Sequence, residues 1–255
     1  MTEPEGQAPQ MRAVERIAAI LGSFSATRPV LTLSEVTREA GLDKNTVRRL
    51  LLALCGPGLI VRVGEGYGLG PAVLRMQPAV AAPRALREAS ASWLHELTQA
   101  LGMTSFAWLP DPMGAVCVER ARAQRGLFAA AHWSSPGTVL PLNVAAGPRV
   151  ILAHLSVEAQ AEWLAREQPR VTQQSETDPV ALRRVAEQIR AEGHAFVADD
   201  LVVGLAGLGV PVFDRQGAFA GAISVTAPTH VLRDDTQRPL AVLRRVAAEV
   251  GVRLG

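Results

Sequence analysis

The residue types best suited to a chemical task lie in one short stretch, residues 41–51, which reads GLDKNTVRRLL. Asparagine side chains pair with adenine, and arginine side chains bind guanine or phosphate. At helical spacing the apolar members of the stretch fall on the opposite face, toward a core. The polar members are Lys44, Asn45, Thr46, Arg48 and Arg49. The pattern favours a helix that contacts the major groove of DNA, and the alternative for any single helix is an ordinary solvated face.

The segments on either side of this stretch predict the elements that would position it. The predicted order is a helix over 12–25, a strand-like run at 30–33, a helix N-capped by Ser34, a helix N-capped by Asp43, and a β-hairpin within 59–69. Gly41 suits the left-handed position after a helix end. This is the order of a winged helix-turn-helix, in which Arg38 and Arg62 are further candidates for DNA contact.

Charge along the chain agrees with a nucleic-acid partner for this segment. Residues 12–75 carry nine Lys or Arg and five Asp or Glu, a net charge of +4, whereas the residues from 76 onward carry 17 of each sign. A basic segment beside a balanced one favours a module that meets a polyanion, joined to a module with another task. An ordinary solvated surface is the alternative.

The composition excludes several classes of protein. Of the 255 residues 48% are hydrophobic, which is enough for a sizeable core. No apolar run approaches the roughly 20 residues that span a bilayer, and the acidic, Pro-rich start is unlike a signal peptide. The two cysteines, Cys55 and Cys117, lack metal-ligand spacing and make no secreted disulfide framework. We therefore expect a cytoplasmic protein without a structural metal.

Beyond the hairpin the sequence predicts a linker and a second, larger domain of α+β class. The predicted helices are 84–101, 144–155, 157–168, 179–192 and 235–253. The strand candidates are 103–109, 115–121, 127–133, 194–202, 206–214 and 220–227. The expected organisation is a disordered tail at 1–11, a winged helix-turn-helix at 12–75, a linker at 76–83 and an effector-binding and dimerisation domain at 84–255.

Residues 13–74 resemble the DNA-binding domain of the IclR family of bacterial transcription regulators. Four later stretches resemble that family's effector domain: VCVERA, LPLNVAAGPRVILAHL, EGHAFVADD and GLGVPVFDRQGAFAGAISVTAP. The resemblance implies a winged-helix reader joined by a linker helix to a GAF-like mixed sheet with flanking helices. It also implies homodimers or dimers of dimers that bind palindromic double-stranded DNA and respond to small organic acids or aromatic catabolites.

The sequence departs from the family pattern at positions that commonly contact the effector. Asn143 stands where the family usually has a His, Val197 where it often has an acid, and Gly207 where it often has a Cys. By contrast, Ser224 and Thr226 match polar pocket positions of the family. A buried polar ligand group needs polar partners, so the loss of two of them predicts a less polar effector than a short keto acid.

Two further pairs of residues complete the predicted effector site. Ala146 and Gly147 match small residues whose backbone N–H groups approach a carboxylate in the family. Trp108 and Trp133 offer flat apolar walls, although core packing is the more common role of a tryptophan. These features predict an aromatic acid or a close derivative as effector, bound in apolar space.

An enzyme is the least favoured interpretation of the sequence. The five histidines are scattered without metal-ligand spacing, and GLAGLG at 204–209 matches a dinucleotide fingerprint imperfectly. We therefore expect no enzymatic activity and no cofactor. The favoured function is an effector-responsive regulator of a catabolic operon, acting as repressor or activator. The alternative is a dimeric DNA-binding scaffold whose sensor domain has lost its ligand.

Overall fold

The computed structural model describes residues 9–25, 28–76, 81–123 and 135–254, and it confirms the α+β class. The chain divides into two compact units, residues 1–81 and 82–255. Within the predicted tail residues 1–8 lie outside the described part of the chain, and so do residues 77–80 of the predicted linker.

The first unit is a helical domain with a small antiparallel sheet in the strand order β1-β3-β2. Its elements are α1 (Pro9–Gly22), β1 (Val30–Leu31), α2 (Leu33–Ala40), α3 (Lys44–Cys55), β2 (Ile60–Val63), β3 (Gly66–Leu69) and α4 (Pro71–Met76). The order is that of a winged helix-turn-helix with β2 and β3 as the wing. A core of buried side chains, among them Ile20, Val36, Val47 and Leu51, holds α1, α2 and α3 together.

Side-chain hydrogen bonds cap the starts of both α2 and α3. The predicted cap of α2, Ser34, is wrong, because the cap is Thr32. The Thr32 hydroxyl accepts from the N–H of Glu35, and the Glu35 carboxylate accepts from the N–H of Thr32 at 2.8 Å. This reciprocal pair satisfies two N–H groups where Ser34 would satisfy one. Gly41 ends α2 with a φ of 63°, and Asp43 caps α3 as predicted.

The second unit is built around a six-stranded sheet in the order β6-β5-β4-β9-β8-β7. Its strands are β4 (Thr104–Asp111), β5 (Gly114–Ala121), β6 (Val139–Leu140), β7 (Ala195–Ala198), β8 (Leu205–Phe213) and β9 (Phe219–Pro228). Its helices are α5 (Ala81–Leu101), α6 (Ala146–His154), α7 (Val157–Leu164), α8 (Pro179–Glu192), α9 (Thr229–Asp234) and α10 (Gln237–Val252). Every described pair of neighbouring strands in this sheet is antiparallel.

Helices cover both faces of this sheet, and strand alternation decides which side chain meets which helix. On β9, Ile223 and Val225 belong to the core that α5 and α10 cover. Ala222, which alternates with them, belongs to the core on the side of α6 and α8. Ser224 therefore faces the start of α6, together with its neighbour in the alternation, Thr226.

Some short elements were not predicted from the sequence, and one predicted strand is untested. The short strand β6 and the one-and-a-half-turn helix α9 were not predicted, because each is too short to show a periodic pattern. The strand predicted at 127–133 falls among residues that lie outside the described part of the chain. None of the described helices is long and apolar enough to cross a membrane.

Candidate DNA-binding helix and effector cavity

The exposed face of α3 carries the predicted DNA-contacting side chains. Lys44, Asn45, Arg48 and Arg49 are exposed, and Thr46 is half-buried. The opposite face is made of Val47, Leu51 and Leu54, which are buried in the core of the first unit. Because the two faces are separate, the polar side chains are not needed to hold the helix in place.

The cations of α3 are available for an external partner. Within the described residues, Lys44, Arg48 and Arg49 form no ion pair and no side-chain hydrogen bond. Arg38 on α2 differs from them, since its Nη2 lies 3.5 Å from a Glu39 carboxylate oxygen. Arg62 on the wing is exposed, with its guanidinium carbon 5.5 Å from the centroid of the Tyr67 ring.

The second unit contains a cavity at the start of α6, which we call the α6 cavity. It lies between that helix, strands β4, β8 and β9, and the loop after β7. Five of the predicted effector residues line it: Trp108, Ala146, Gly207, Ser224 and Thr226. Its volume is about 30 Å³, which is room for one or two water molecules.

The other predicted effector residues do not line the α6 cavity. Gly147 lies beneath the Trp108 ring, and Val197 packs in the core shared with α6 and α8. Asn143 is fully buried, and its Nδ2 donates to the carbonyl oxygens of Pro169 at 2.9 Å and Glu176 at 2.8 Å. Asn143 thus anchors a loop. Trp133 lies outside the described residues.

The apolar space expected at the cavity is missing because the Trp108 ring and the Ala146 methyl group fill it. The indole ring of Trp108 lies directly on Gly147, where an added Cβ would overlap it, and the Trp108 Nε1–H donates to the Ser224 hydroxyl at 2.9 Å. At Gly207 the missing side chain leaves no gap, since a Cβ there would lie 3.2 Å from the Ala146 Cβ. Little apolar space is therefore left beside Gly207 in this structure.

Asp200 is the main residue of the cavity that sequence reasoning missed. Its buried Oδ2 accepts from the Ala145 N–H at 3.0 Å and lies 3.2 Å from the Nη2 of Arg149. Burial raises the pKa of Asp200 to about 6, against the opposing effect of Arg149. The sequence shows two adjacent acids, but only the fold reveals which of them turns toward α6.

The positive end of the α6 dipole is thus partly neutralised by the carboxylate of Asp200. Asp200 takes the N–H of Ala145, whereas the N–H groups of Ala146 and Gly147 form no hydrogen bond within the described residues. Ala145 has a φ of 59°, a conformation that a non-glycine residue adopts only when its surroundings hold it there. Free N–H groups at a helix start favour an oxygen acceptor.

The two cysteines differ sharply in environment. Burial raises the pKa of Cys117 to about 12, while Cys55 at the end of α3 is half-buried. A pKa of about 12 instead of 9 lowers the thiolate fraction near pH 8 by roughly a thousandfold. In the native protein we expect a thiol-specific disulfide reagent to modify Cys55 and to leave Cys117 unmodified. Both should react in urea, and rapid native labelling of Cys117 would contradict its burial.

No group of three or more His, Cys, Asp or Glu side chains suited to a metal ion occurs among the described residues.

Comparison with known proteins places both units in one family. Residues 13–64 match the profile of the IclR helix-turn-helix domain, and residues 79–252 match that of the bacterial transcriptional regulator IclR C-terminal domain. The chain is 25% identical over 214 residues to the Pca operon regulatory protein of Acinetobacter baylyi, which covers 83% of this chain and 77% of the relative.

Solved structures show the same fold. An IclR transcriptional regulator from Silicibacter has a TM-score of 0.83 and 28% identity, with 95% of this chain and 96% of that chain covered. An IclR homologue from Microbacterium hydrocarbonoxydans, solved in complex with 4-hydroxybenzoate, has a TM-score of 0.78 and 22% identity, with 94% and 98% covered.

Proposed function

The chain belongs to the IclR family of bacterial transcription regulators, and on that premise we propose that it binds operator DNA through α3 and controls a catabolic operon in response to a small aromatic acid. The observation that carries the DNA-binding part is the exposed polar face of α3 with its three cations free of partners in the described structure. Major-groove readers present such a face at the second helix of the turn.

The DNA-binding part is tested by selection from a random library of short duplexes. The full-length protein should enrich one sequence with two inverted half-sites, because a symmetric dimer presents two reading helices. Binding that remains equal for all duplexes at several salt concentrations would contradict operator recognition, since phosphate contacts alone carry no sequence information.

The effector part rests on the chemistry of the α6 cavity. Phe106, Leu140 and Leu205 provide apolar walls, and the Ser224 hydroxyl and the start of α6 at Ala146 line the same cavity. This combination suits a flat ring with one oxygen-bearing substituent. The complex of the M. hydrocarbonoxydans homologue with 4-hydroxybenzoate supports that ligand as the first one to test.

Thermal unfolding distinguishes the ligand classes. We expect millimolar 4-hydroxybenzoate or benzoate to raise the Tm of the wild-type protein, and pyruvate and glyoxylate to leave it unchanged, because a ligand that binds only the folded state stabilises it. Stabilisation by the short keto acids alone would contradict the aromatic-acid assignment.

An alternative function is a DNA-binding scaffold with no effector. The small volume of the α6 cavity favours it, as does the occupation of the helix start by Asp200. In that case no acid changes the Tm, whereas the selected duplex is still bound.

We further infer that the protein is at least a dimer. Val14 on α1 is 68% exposed, and Leu74 and Met76 on α4 are 71% and 54% exposed, which is more apolar surface than one small domain needs to show. We expect light scattering at micromolar concentration to give the mass of a dimer or tetramer, and a mass of 27.1 kDa would contradict this.

A further inference from the structure

The α6 cavity is small because one aromatic side chain of the protein fills the place where it would otherwise widen. Trp108 is 2% exposed, and its ring is packed against Gly147 so closely that no side chain fits there. The ring of Phe106 lies beside it, with 5.7 Å between the centroids. An aromatic ligand would need the same surroundings as this ring, with an aromatic neighbour on one side and a helix start on the other.

The same side chain uses the polar group of the cavity. The Trp108 Nε1–H donates to the Oγ of Ser224 at 2.9 Å, and Ser224 is only 4% exposed. As long as the indole stays, the Ser224 oxygen is engaged by a donor from within the chain. Trp108 thus supplies both a flat ring and a hydrogen-bond donor at one place.

The strand pairing at Trp108 is irregular on the side of β5. The register between β4 and β5 shifts between Ala107 and Trp108. Such irregularities in a strand pair re-aim a side chain and are frequent next to functional sites. The ladder between β4 and β5 is therefore interrupted at the residue whose ring fills the cavity, whereas its ladder with β9 is regular.

We propose that the Trp108 indole is a resident occupant of the aromatic subsite of the α6 cavity, and that an effector ring binds by taking its place against Gly147 and Ser224. The inference rests on the proposed function in one respect, namely that the α6 cavity is the effector pocket. It sets the ligand class as a single flat ring system no larger than indole, with a group that hydrogen-bonds to Ser224. The indole must leave before the ring enters, so Trp108 also lowers the apparent affinity of the wild-type protein.

Removal of the indole and its return as a free molecule tests the proposal. In Trp108→Ala, 1 mM indole should raise the Tm by at least about 3 °C, because it refills the vacated space and stabilises only the folded state. Wild-type protein should shift by less than about 1 °C under the same conditions. The matched control is Trp163→Ala, since Trp163 is also buried on the α6 side of the sheet but does not line the cavity. We expect its shift to stay below about 1 °C.

The absence of an indole shift in Trp108→Ala, or an equal shift in Trp163→Ala, would overturn the proposal. If Trp108→Ala does not fold, Trp108→Leu opens a smaller apolar space, and benzene replaces indole as the probe with the same expected and contrary results. The response of the variants to indole or benzene does not depend on which effector the wild-type protein binds. Indole rescue without any response of the wild-type protein to aromatic acids would refute the aromatic-acid function and leave intact the assignment of Trp108 as occupant of a ring-shaped subsite.

Discussion

Replacement of Arg48 or Arg49 by alanine should weaken binding to the selected duplex by about 5- to 150-fold each and leave the unfolding free energy within about 0.5 kcal/mol of wild type. Both side chains are exposed and form no ion pair within the described structure, so their removal costs the fold little. The substitution instead weakens DNA binding, because an arginine contributes a contact to guanine or phosphate worth about 1–3 kcal/mol. Fluorescence anisotropy with the labelled duplex measures the affinity.

A salt series separates the two kinds of contact. If an arginine meets phosphate alone, its removal lowers the slope of log K against log salt by roughly 1 and weakens binding to every duplex alike. The matched control is Arg183→Ala, which changes the net charge equally at an exposed position of α8. Unchanged affinity in both α3 variants, or an equal loss in Arg183→Ala, would remove α3 from the DNA interface.

Arg149→Met should lower the unfolding free energy by about 3–5 kcal/mol at pH 8, the second large effect that we expect. The Arg149 and Asp200 side chains are 11% and 6% exposed, so loss of the cation leaves a carboxylate buried without its partner. Methionine replaces the apolar part of the side chain as far as the position of Nε. Urea unfolding followed by circular dichroism measures the loss.

The loss of unfolding free energy in Arg149→Met should depend on pH. The titration of Asp200 decides whether that loss grows or shrinks as the pH rises. Its pKa is about 6 in the folded protein and roughly 4 in the unfolded chain, so the folded state holds the proton more tightly. Asp200 therefore lowers stability as the pH rises through the interval from 4 to 6. Without Arg149 the folded pKa rises further, and the penalty continues to grow above pH 6. We expect the effect of Arg149→Met to be smaller at pH 5, where Asp200 is largely protonated and the loss of the hydrogen bond from Arg149 Nε to the Asn143 carbonyl oxygen remains.

Arg166→Met is the control for this pH dependence. Arg166 also pairs with a carboxylate, that of Glu162 at 2.8 Å, but the two side chains are 48% and 75% exposed. A solvated pair contributes roughly 0–1 kcal/mol. A loss in Arg149→Met that is equal at pH 5 and pH 8 would show that the buried pair is not what the substitution disturbs.

The parts of the fold with strong local signals could be predicted from the sequence. The helix over 179–192 has the predicted bounds, because Pro179 begins it and Gly193 ends it with a φ of 70°. The cap of α2 also carried a local signal, because Thr32 and Glu35 have the spacing of a capping box, which favours Thr32 over Ser34. The exposure of Val14, by contrast, depends on tertiary packing.

The candidate site was predictable in position but not in its interior. Strand alternation places Ser224 and Thr226 toward α6, and the sequence pattern contained that information. It did not contain the rotation of the Trp108 ring onto Gly147 or the reach of Asp200 to the N–H of Ala145. Both are contacts between residues more than 35 positions apart, and no local periodicity reports them.

Binding of an effector to the second unit should change the affinity of the first unit for DNA, and one titration measures this response. Anisotropy of the selected duplex is measured with the wild-type protein in the absence and presence of saturating 4-hydroxybenzoate, with pyruvate as the comparison. An effector that prefers one of two states must change the DNA affinity, by a factor of about 5–150 for typical couplings. We predict such a change, in either direction, with 4-hydroxybenzoate and none with pyruvate. Identical DNA affinity with and without 4-hydroxybenzoate, although that ligand raises the Tm, would contradict effector control of DNA binding.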